Sequence, residues 1–329
     1  MSHPVKTDPT VVPLELLGTS PAAERLRALT LEATGGDDYV LVSAESGLSA
    51  EAIAREIHDG RCGPEAPFVV YDGASAAAPG IERDLFGRAA GRRPGHLEPL
   101  AEASTIARAA GGTLFLANIG DLPFPAQARL TQVLRDGEVE IGSPPAAVRL
   151  DVRVVAGTAL DLQGEVREGR FRRDLYQRFT LRLEVPPLRR RPGDIPALIR
   201  QLAADACRAS GVPPLRFADE TLTLLSALPW RRNLVELKEV VDGLVRAGRG
   251  GSVGLEDVLT RIRLERAPAA RLPAGSLRAA RLGFERDYVA AVLQQHEWRM
   301  GDAARTLGIQ RTNLYRKVRQ LGIPRARMR

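Results

Sequence analysis

Short apolar runs alternate with amphipathic stretches through the first half of the chain. Ser20, Pro21 and Glu24 have the pattern of an N-cap, a first-turn proline and an acidic first turn, which predicts a helix through about Glu32. DYVLVS at 38–43 predicts a strand, with a turn at Glu45-Ser46-Gly47 and a helix from Ala50 to about His58 after it. PFVVY at 67–71, TLFL at 113–116 behind Gly111-Gly112, and VRVVA at 152–156 predict three more strands, and Gln127–Arg135 a helix. Buried strands alternating with helices imply an α/β fold, a parallel sheet with helices on its faces. After about Arg189 the strands stop. Asp194–Arg208, Asp219–Ala227, Asn233–Ala247 and Leu255–Leu264 predict a smaller helical unit. The stretch from Arg266 to Gly275 has two prolines, a glycine and no apolar period, as a linker does, and three more helices follow it.

Composition narrows the class. With 329 residues and 44% hydrophobic content the chain can build two or three domains with real cores. No apolar run approaches the roughly 18–20 residues that span a bilayer, and MSHPVKTDPT lacks a secretory pattern, so a cytoplasmic protein without membrane contact is expected. Cys62 and Cys207 have neither metal nor redox spacing, and His58 and His96 have no partner set, so no metal is expected. The net charge is +7, and it is concentrated at one end: thirteen cations face only Glu285, Asp287, Glu297 and Asp302 between Arg271 and Arg329. The remainder is therefore slightly acidic. A basic tail on a near-neutral body is the asymmetry of a polyanion-binding module.

That tail has the pattern of a helix-turn-helix. Leu277–Gln295 is amphipathic through Leu277, Phe284, Tyr288 and Val292. A helix carrying Ala303, Ala304 and Leu307 then ends at Gly308, which can take the left-handed conformation that stops a helix. The small alanine pair lets the next helix cross closely. In that helix Leu314, Val318 and Leu321 form the buried edge, and Arg311, Thr312, Asn313, Tyr315, Arg316, Lys317 and Arg319 are the candidate DNA contacts. The N-terminal ones reach base edges and the cations neutralise phosphates.

The segment from Trp298 to Ile323 resembles the Fis-type helix-turn-helix that ends the bacterial enhancer-binding proteins, the AAA+ activators of sigma-54 RNA polymerase. The resemblance covers nearly the whole chain. Leu16-Leu17-Gly18-Thr19-Ser20 resembles the opening of the AAA+ domain, and Asp84-Leu85-Phe86-Gly87 the segment before the sigma-contacting loop. Residues 111–116 (GGTLFL) resemble the Walker B strand, and 169–179 (GRFRRDLYQRF) the arginine-finger helix with Arg172 and Arg178 at the finger positions. Residues 186–191 (PPLRRR) resemble the passage into the helical lid. The implied organisation is a flexible N-terminus over 1–13, a degenerate AAA+-like α/β domain over 14–190 and a helical lid subdomain over 191–264. A linker over 265–275 and an all-α Fis-type helix-turn-helix domain over 276–329 complete it.

Against the family's pattern, the motif positions are altered. The first P-loop glycine is Ala44, the glycine before the lysine is Ser49 and the lysine is Ala50. The Walker B acids are Ala117 and Asn118, the sensor asparagine is Ala159 and the lid arginine is Val235. Arg88 to Gly95 stands where the sigma loop has its Phe-Thr pair. Phosphoryl transfer depends on positioning and charge neutralisation, so these losses imply a pseudo-ATPase, not an enzyme, with no cofactor and at most weak nucleotide binding. For Arg172 and Arg178 a packing or interface role is then expected.

The leading expectation is a sequence-specific DNA-binding transcription regulator, independent of sigma-54, whose AAA+-like body serves self-association or contact with a regulatory protein. An ATP-dependent sigma-54 activator and a DNA-tethered scaffold stand as alternatives. The resemblance implies a homodimer on palindromic double-stranded DNA. The body begins by about residue 15, so any signal is expected through a partner, a ligand or expression level.

Overall fold

The structure is a computed structural model that describes residues 12–75, 78–87, 97–141, 146–247, 251–266, 288–289, 292–293, 296 and 298–321. The chain divides into two compact units, Met1–Leu264 and Glu265–Arg329.

The first unit is organised around five parallel strands, β1 (Tyr39–Ala44), β2 (Phe68–Asp72), β4 (Gly112–Ala117), β7 (Val152–Thr158) and β8 (Phe179–Val185), in the order β2-β4-β7-β1-β8. β7 is buried at every residue, as expected of a strand with neighbours on both sides and helices on both faces. Alternate side chains go to opposite layers. Val40 and Val42 pack with Leu26 of α1 (Pro21–Gly35) and with Ile53 and Ile57 of α2 (Ala50–Cys62). Leu41, Leu114, Val154 and Ala156 face the other way. There they meet Ile81 and Leu85 of α3 (Ala78–Phe86) and Leu130 and Val133 of α5 (Phe124–Asp136). The one-turn helix α4 (Thr105–Arg108) adds Ile106 to this layer. His58 is buried on α2 with Nδ1 2.8 Å from Thr113 Oγ1, a packing role.

Four strands expected from the sequence are present, and β8 is an addition. Its burial alternates along Phe179–Val185, with Thr180, Arg182 and Glu184 between apolar residues, because it lies at the sheet edge. A second sheet of three short strands, β3 (Glu98–Leu100), β5 (Glu138–Ile141) and β6 (Ala146–Arg149), was also not anticipated. Its strands have three or four residues each, too few to show a period. Between β7 and β8 lie α6 (Leu162–Arg167) and α7 (Arg173–Arg178).

The lid comprises α8 (Ile195–Ser210), α9 (Asp219–Ser226), α10 (Asn233–Ala247) and α11 (Leu255–Arg266). A two-residue pair, β9 (Arg216–Phe217) with β10 (Ser252–Val253), joins two of its loops, so the strand pattern does not stop entirely at Arg189. Trp230 is 2% exposed at the lid core, and its indole N–H donates to the Leu225 carbonyl at 2.8 Å.

In the second unit α12 (Met300–Thr306) and α13 (Arg311–Gln320) share a core of Val289, Val292, Leu293, Met300, Ala303, Ala304 and Leu314. Gly308 has φ +63°, and the Ile309 N–H returns to the Ala304 carbonyl at 3.0 Å, so the helix stops as the sequence predicts. Of the helix expected over 277–295, Tyr288, Val289, Val292 and Leu293 are helical, and Leu277 and Phe284 lie outside the described residues. So do 1–11, most of the expected linker (267–275), and Arg88–His96 with the expected sigma-loop segment.

Trp230→Ala should cost about 3–5 kcal/mol in equilibrium urea unfolding of the full chain, since it empties a closed site. Leu31→Ala, at a position 73% exposed, should stay within about 0.5 kcal/mol. Equal effects would contradict the lid core described here.

Candidate functional site

Two places gather chemistry, one in each unit. In the first, the chain leaves β1 through α2 to the far edge strand β2, and leaves β7 through α6 and α7 to β8 on the opposite side of β1. Connections that part in this way open a crevice at the C-terminal strand ends, where open α/β sheets bind ligands. A cavity of about 470 Å³ lies there, lined by Ser43, Glu45, Thr158, Asp161, Arg182 and Glu184 among others. Ala44 and Ala159 line the same cavity.

The β1–α2 loop bordering this crevice is fixed from the lid side. The Glu45 carboxylate accepts two hydrogen bonds from Arg189, at 2.5 and 2.6 Å, and these hold its pKa below the ordinary value. Asn233 is fully buried, and its Nδ2 donates to the Ser46 carbonyl while its Oδ1 accepts from the Leu188 N–H, both at 3.0 Å. The Val235 N–H donates to the Gly47 carbonyl at 3.3 Å. Gly47 has φ +84°, and a Cβ there would fall 1.9 Å from the Arg232 carbonyl oxygen, so only glycine fits between loop and lid. Ser49 caps α2 by accepting the Ala52 N–H, and its own N–H donates to the Glu15 carboxylate at 2.8 Å.

The structure thus brings Ala44, Ser49, Ala50, Ala159 and Val235 to one region at the end of β1, β7 and α10. Ala117 and Asn118 sit at the end of β4, separated from β1 by β7. Asn118 has φ +50°, and its Nδ2 donates to Asp72 Oδ1 at 2.8 Å. Arg172 and Arg178 lie at the two ends of α7. Arg172 is paired with Asp174 at 2.6 Å and lies 5.3 Å from the Phe124 ring centroid. Glu15, Asp72, Arg189 and Asn233 were not singled out by the sequence. Glu15 alone left a trace, an acid inside the apolar run Leu14–Leu17.

The second site is the outer face of α13. Leu314 is fully buried and Val318 half-buried on the core side, while Arg311, Thr312, Tyr315, Arg316 and Arg319 are exposed. Asn313 and Lys317 are half-buried beside them. The helix RTNLYRKVRQ has no acidic residue, and Arg311 lies 5.9 Å from the Tyr315 ring centroid. A rigid helix with base-sized polar groups at its start and cations along one side is what major-groove recognition requires. Among the described residues no cluster of side chains has metal-binding composition, and no helix is long and apolar enough to cross a membrane.

Residues 16–184 match the sigma-54 interaction domain family, 189–273 the AAA+ ATPase lid domain, and 283–325 the Fis family of bacterial regulatory proteins. Among curated relatives, the DNA-binding transcriptional regulator NtrC of Salmonella typhimurium is 32% identical, over 94% of this chain and 70% of its own. The anaerobic nitric oxide reductase transcription regulator NorR of Aeromonas hydrophila is 33% identical, over 94% and 63%. NtrX from Brucella abortus, solved in complex with ADP, superposes with a TM-score of 0.69 at 27% identity, covering 93% of this chain and 70% of NtrX. The same protein in complex with ATP gives 0.69 at 28% identity, covering 93% and 69%.

These matches correct one expectation. The reading of the chain as not an enzyme is overturned, since the chain matches the sigma-54 interaction domain and AAA+ ATPase lid families and NtrX was solved in complex with ATP and with ADP. The physical reason is that the reading weighed side chains alone. Strand order and the switch-point crevice are backbone features, and both are present. With a parallel sheet, a helical lid and a C-terminal Fis helix-turn-helix, this chain belongs to the bacterial enhancer-binding protein family, the proteins of the sigma-54 interaction domain.

Proposed function

We propose that this chain is a sequence-specific DNA-binding transcription regulator that reads palindromic sites as a homodimer, its AAA+-like body serving self-association or contact with a regulatory protein. The observation that carries the reading is the outer face of α13, exposed and cationic while Leu314 anchors the other side. Arg311, Thr312, Asn313 and Tyr315 are the base-reading and positioning residues of this proposal, and Arg316, Lys317 and Arg319 the phosphate contacts.

NtrX, solved with ADP and with ATP, supports a second element of this proposal, an ATP-type nucleotide bound by this chain at the β1–α2 loop. Ala50 supplies no ammonium to the phosphates, and the nearby Arg189 is already taken by the Glu45 carboxylate, so the affinity is low. The regulator acts without sigma-54, because residues 88–95 lack the Phe-Thr pair of the family's sigma loop. Arg172 and Arg178 serve the body's interface, with Arg172 already neutralised by Asp174.

Three experiments test these points. Arg311→Ala or Asn313→Ala should cost about 1–3 kcal/mol on the preferred site and relax base preference, whereas Lys317→Ala should weaken all sequences alike and lower the salt slope by about 1. Unchanged affinity in all three variants would refute the recognition helix. In ADP titrations, Ala50→Lys should bind at least about tenfold more tightly than the parent, because it returns a cation to the phosphates. Equal affinity would place the nucleotide elsewhere. Transcription of the target genes should persist in a strain lacking sigma-54, and its loss would reverse that part of the proposal.

A further inference from the structure

The first turn of α2 is the anion-seeking end of a 13-residue helix, and the chain fills it with its own carboxylate. Glu15 is 6% exposed, and its Oε1 accepts the Ser49 N–H at 2.8 Å. The Ser49 hydroxyl takes the Ala52 N–H, so both of these first-turn donors are satisfied internally. Beside Glu15 lies Arg191, fully buried, with Nη1 donating to the carbonyls of Glu15 at 2.7 Å and Leu17 at 3.3 Å. Its Nε and Nη2 have no hydrogen-bond partner among the described residues. A buried guanidinium with two unmet donors leaves unused capacity for an anion.

We propose that Glu15 is an internal plug: its carboxylate stands in for a phosphate group at the α2 N-terminus, and a nucleotide enters by displacing it. The inference rests on the nucleotide reading of the β1–α2 loop given above. Burial pushes the Glu15 carboxyl up and the Arg191 guanidinium down, while each charge favours the ionised form of the other. Arg191 bonds to main-chain carbonyls of this segment, with Asp194 and Glu15 as its nearby counter-charges, so an oxyanion that replaces the Glu15 carboxylate finds a buried cation with donors to spare.

The plug is also tied to the lid. Glu15 lies in a single 3-10 turn, Leu14–Leu16, whose Leu14 packs with Leu17 on the lid core, while Leu16 belongs to the sheet core. Asp194, at the root of α8, accepts hydrogen bonds from the Thr19 and Ser20 N–H groups at 2.9 Å and from the Ser20 hydroxyl at 2.6 Å. Moving Glu15 thus moves a segment shared by lid and sheet, which couples occupancy of the α2 N-terminus to lid position.

Two variants of the full chain test the plug. Glu15→Gln keeps an acceptor for the Ser49 N–H and removes the charge, and Glu15→Ala vacates the space. Thermal unfolding is followed with and without millimolar inorganic pyrophosphate, and ADP affinity is measured by titration. The plug predicts that pyrophosphate raises the melting temperature of Glu15→Ala by several degrees while barely moving the parent, and that Glu15→Gln binds ADP about tenfold more tightly. Equal pyrophosphate shifts in variant and parent, together with parental ADP affinity in Glu15→Gln, overturn it. If Glu15→Ala does not fold, the Glu15→Gln titration alone decides between these outcomes. Ala50→Lys separates the two readings. A gain there with none in either Glu15 variant leaves the nucleotide site standing and removes the plug. Pyrophosphate rescue of Glu15→Ala with no ADP gain in Ala50→Lys or Glu15→Gln leaves Glu15 filling an anion site but overturns both its displacement by a nucleotide and the nucleotide reading of the loop.

Discussion

One buried amide holds the working end of the first unit together. Asn233 stands in the left-handed region at φ +47° and is fully buried at the start of α10. Its backbone N–H closes on the Trp230 carbonyl, its Oδ1 takes the Leu188 N–H and its Nδ2 reaches the Ser46 carbonyl. Two segments far from it in sequence, the β1–α2 loop and the passage into the lid, therefore meet on one side chain, while its backbone N–H closes the lid's Trp230 corner. A buried polar group leaves its partners unpaired if it is lost, at about 1–3 kcal/mol for each. The geometry at Gly47 depends on the same meeting, since loop and lid backbones approach more closely there than any Cβ allows. The same closure brings the β1–α2 loop beside the passage into the lid, where Glu45 pairs with Arg189.

The second unit obeys a different constraint. It has a small core, in which Ala303 and Ala304 let α12 and α13 approach and Leu314 fills the angle between them. Gly308 sets that angle by stopping α12 in the left-handed conformation. With Leu314 fixed inward, the helical period turns Arg311, Tyr315 and Arg319 outward together. The proposed base-reading and phosphate-contacting residues thus share one helix whose orientation is decided by a glycine and a leucine.

Much of this was legible in the chain. The strands β1, β4 and β7 were visible because central parallel strands are continuous apolar runs, β2 because it keeps the apolar run Phe68–Tyr71 even at the sheet edge, and α13 because its apolar edge repeats at helical spacing. β8 was missed since an edge strand mixes Thr180, Arg182 and Glu184 into its pattern. The motif positions could be located by resemblance, but the substitutions at Ala50, Ala117 and Asn118 led to an excessive conclusion about enzymic character. Motif side chains are read directly from a sequence, whereas strand order and cap hydrogen bonds are not. Glu15, Arg191 and Asn233 escaped for a related reason. Their partners lie 34, 176 and 187 residues away, a separation that no local pattern reports.

The central claim is that this chain reads DNA sequence through α13, and genome-wide occupancy of the tagged protein in its host tests it most directly. A strain carrying Arg316→Ala and Lys317→Ala in the same protein serves as the control. The account predicts discrete peaks that share a palindrome and vanish in the control strain. Diffuse occupancy, or peaks that survive loss of both cations, would contradict it.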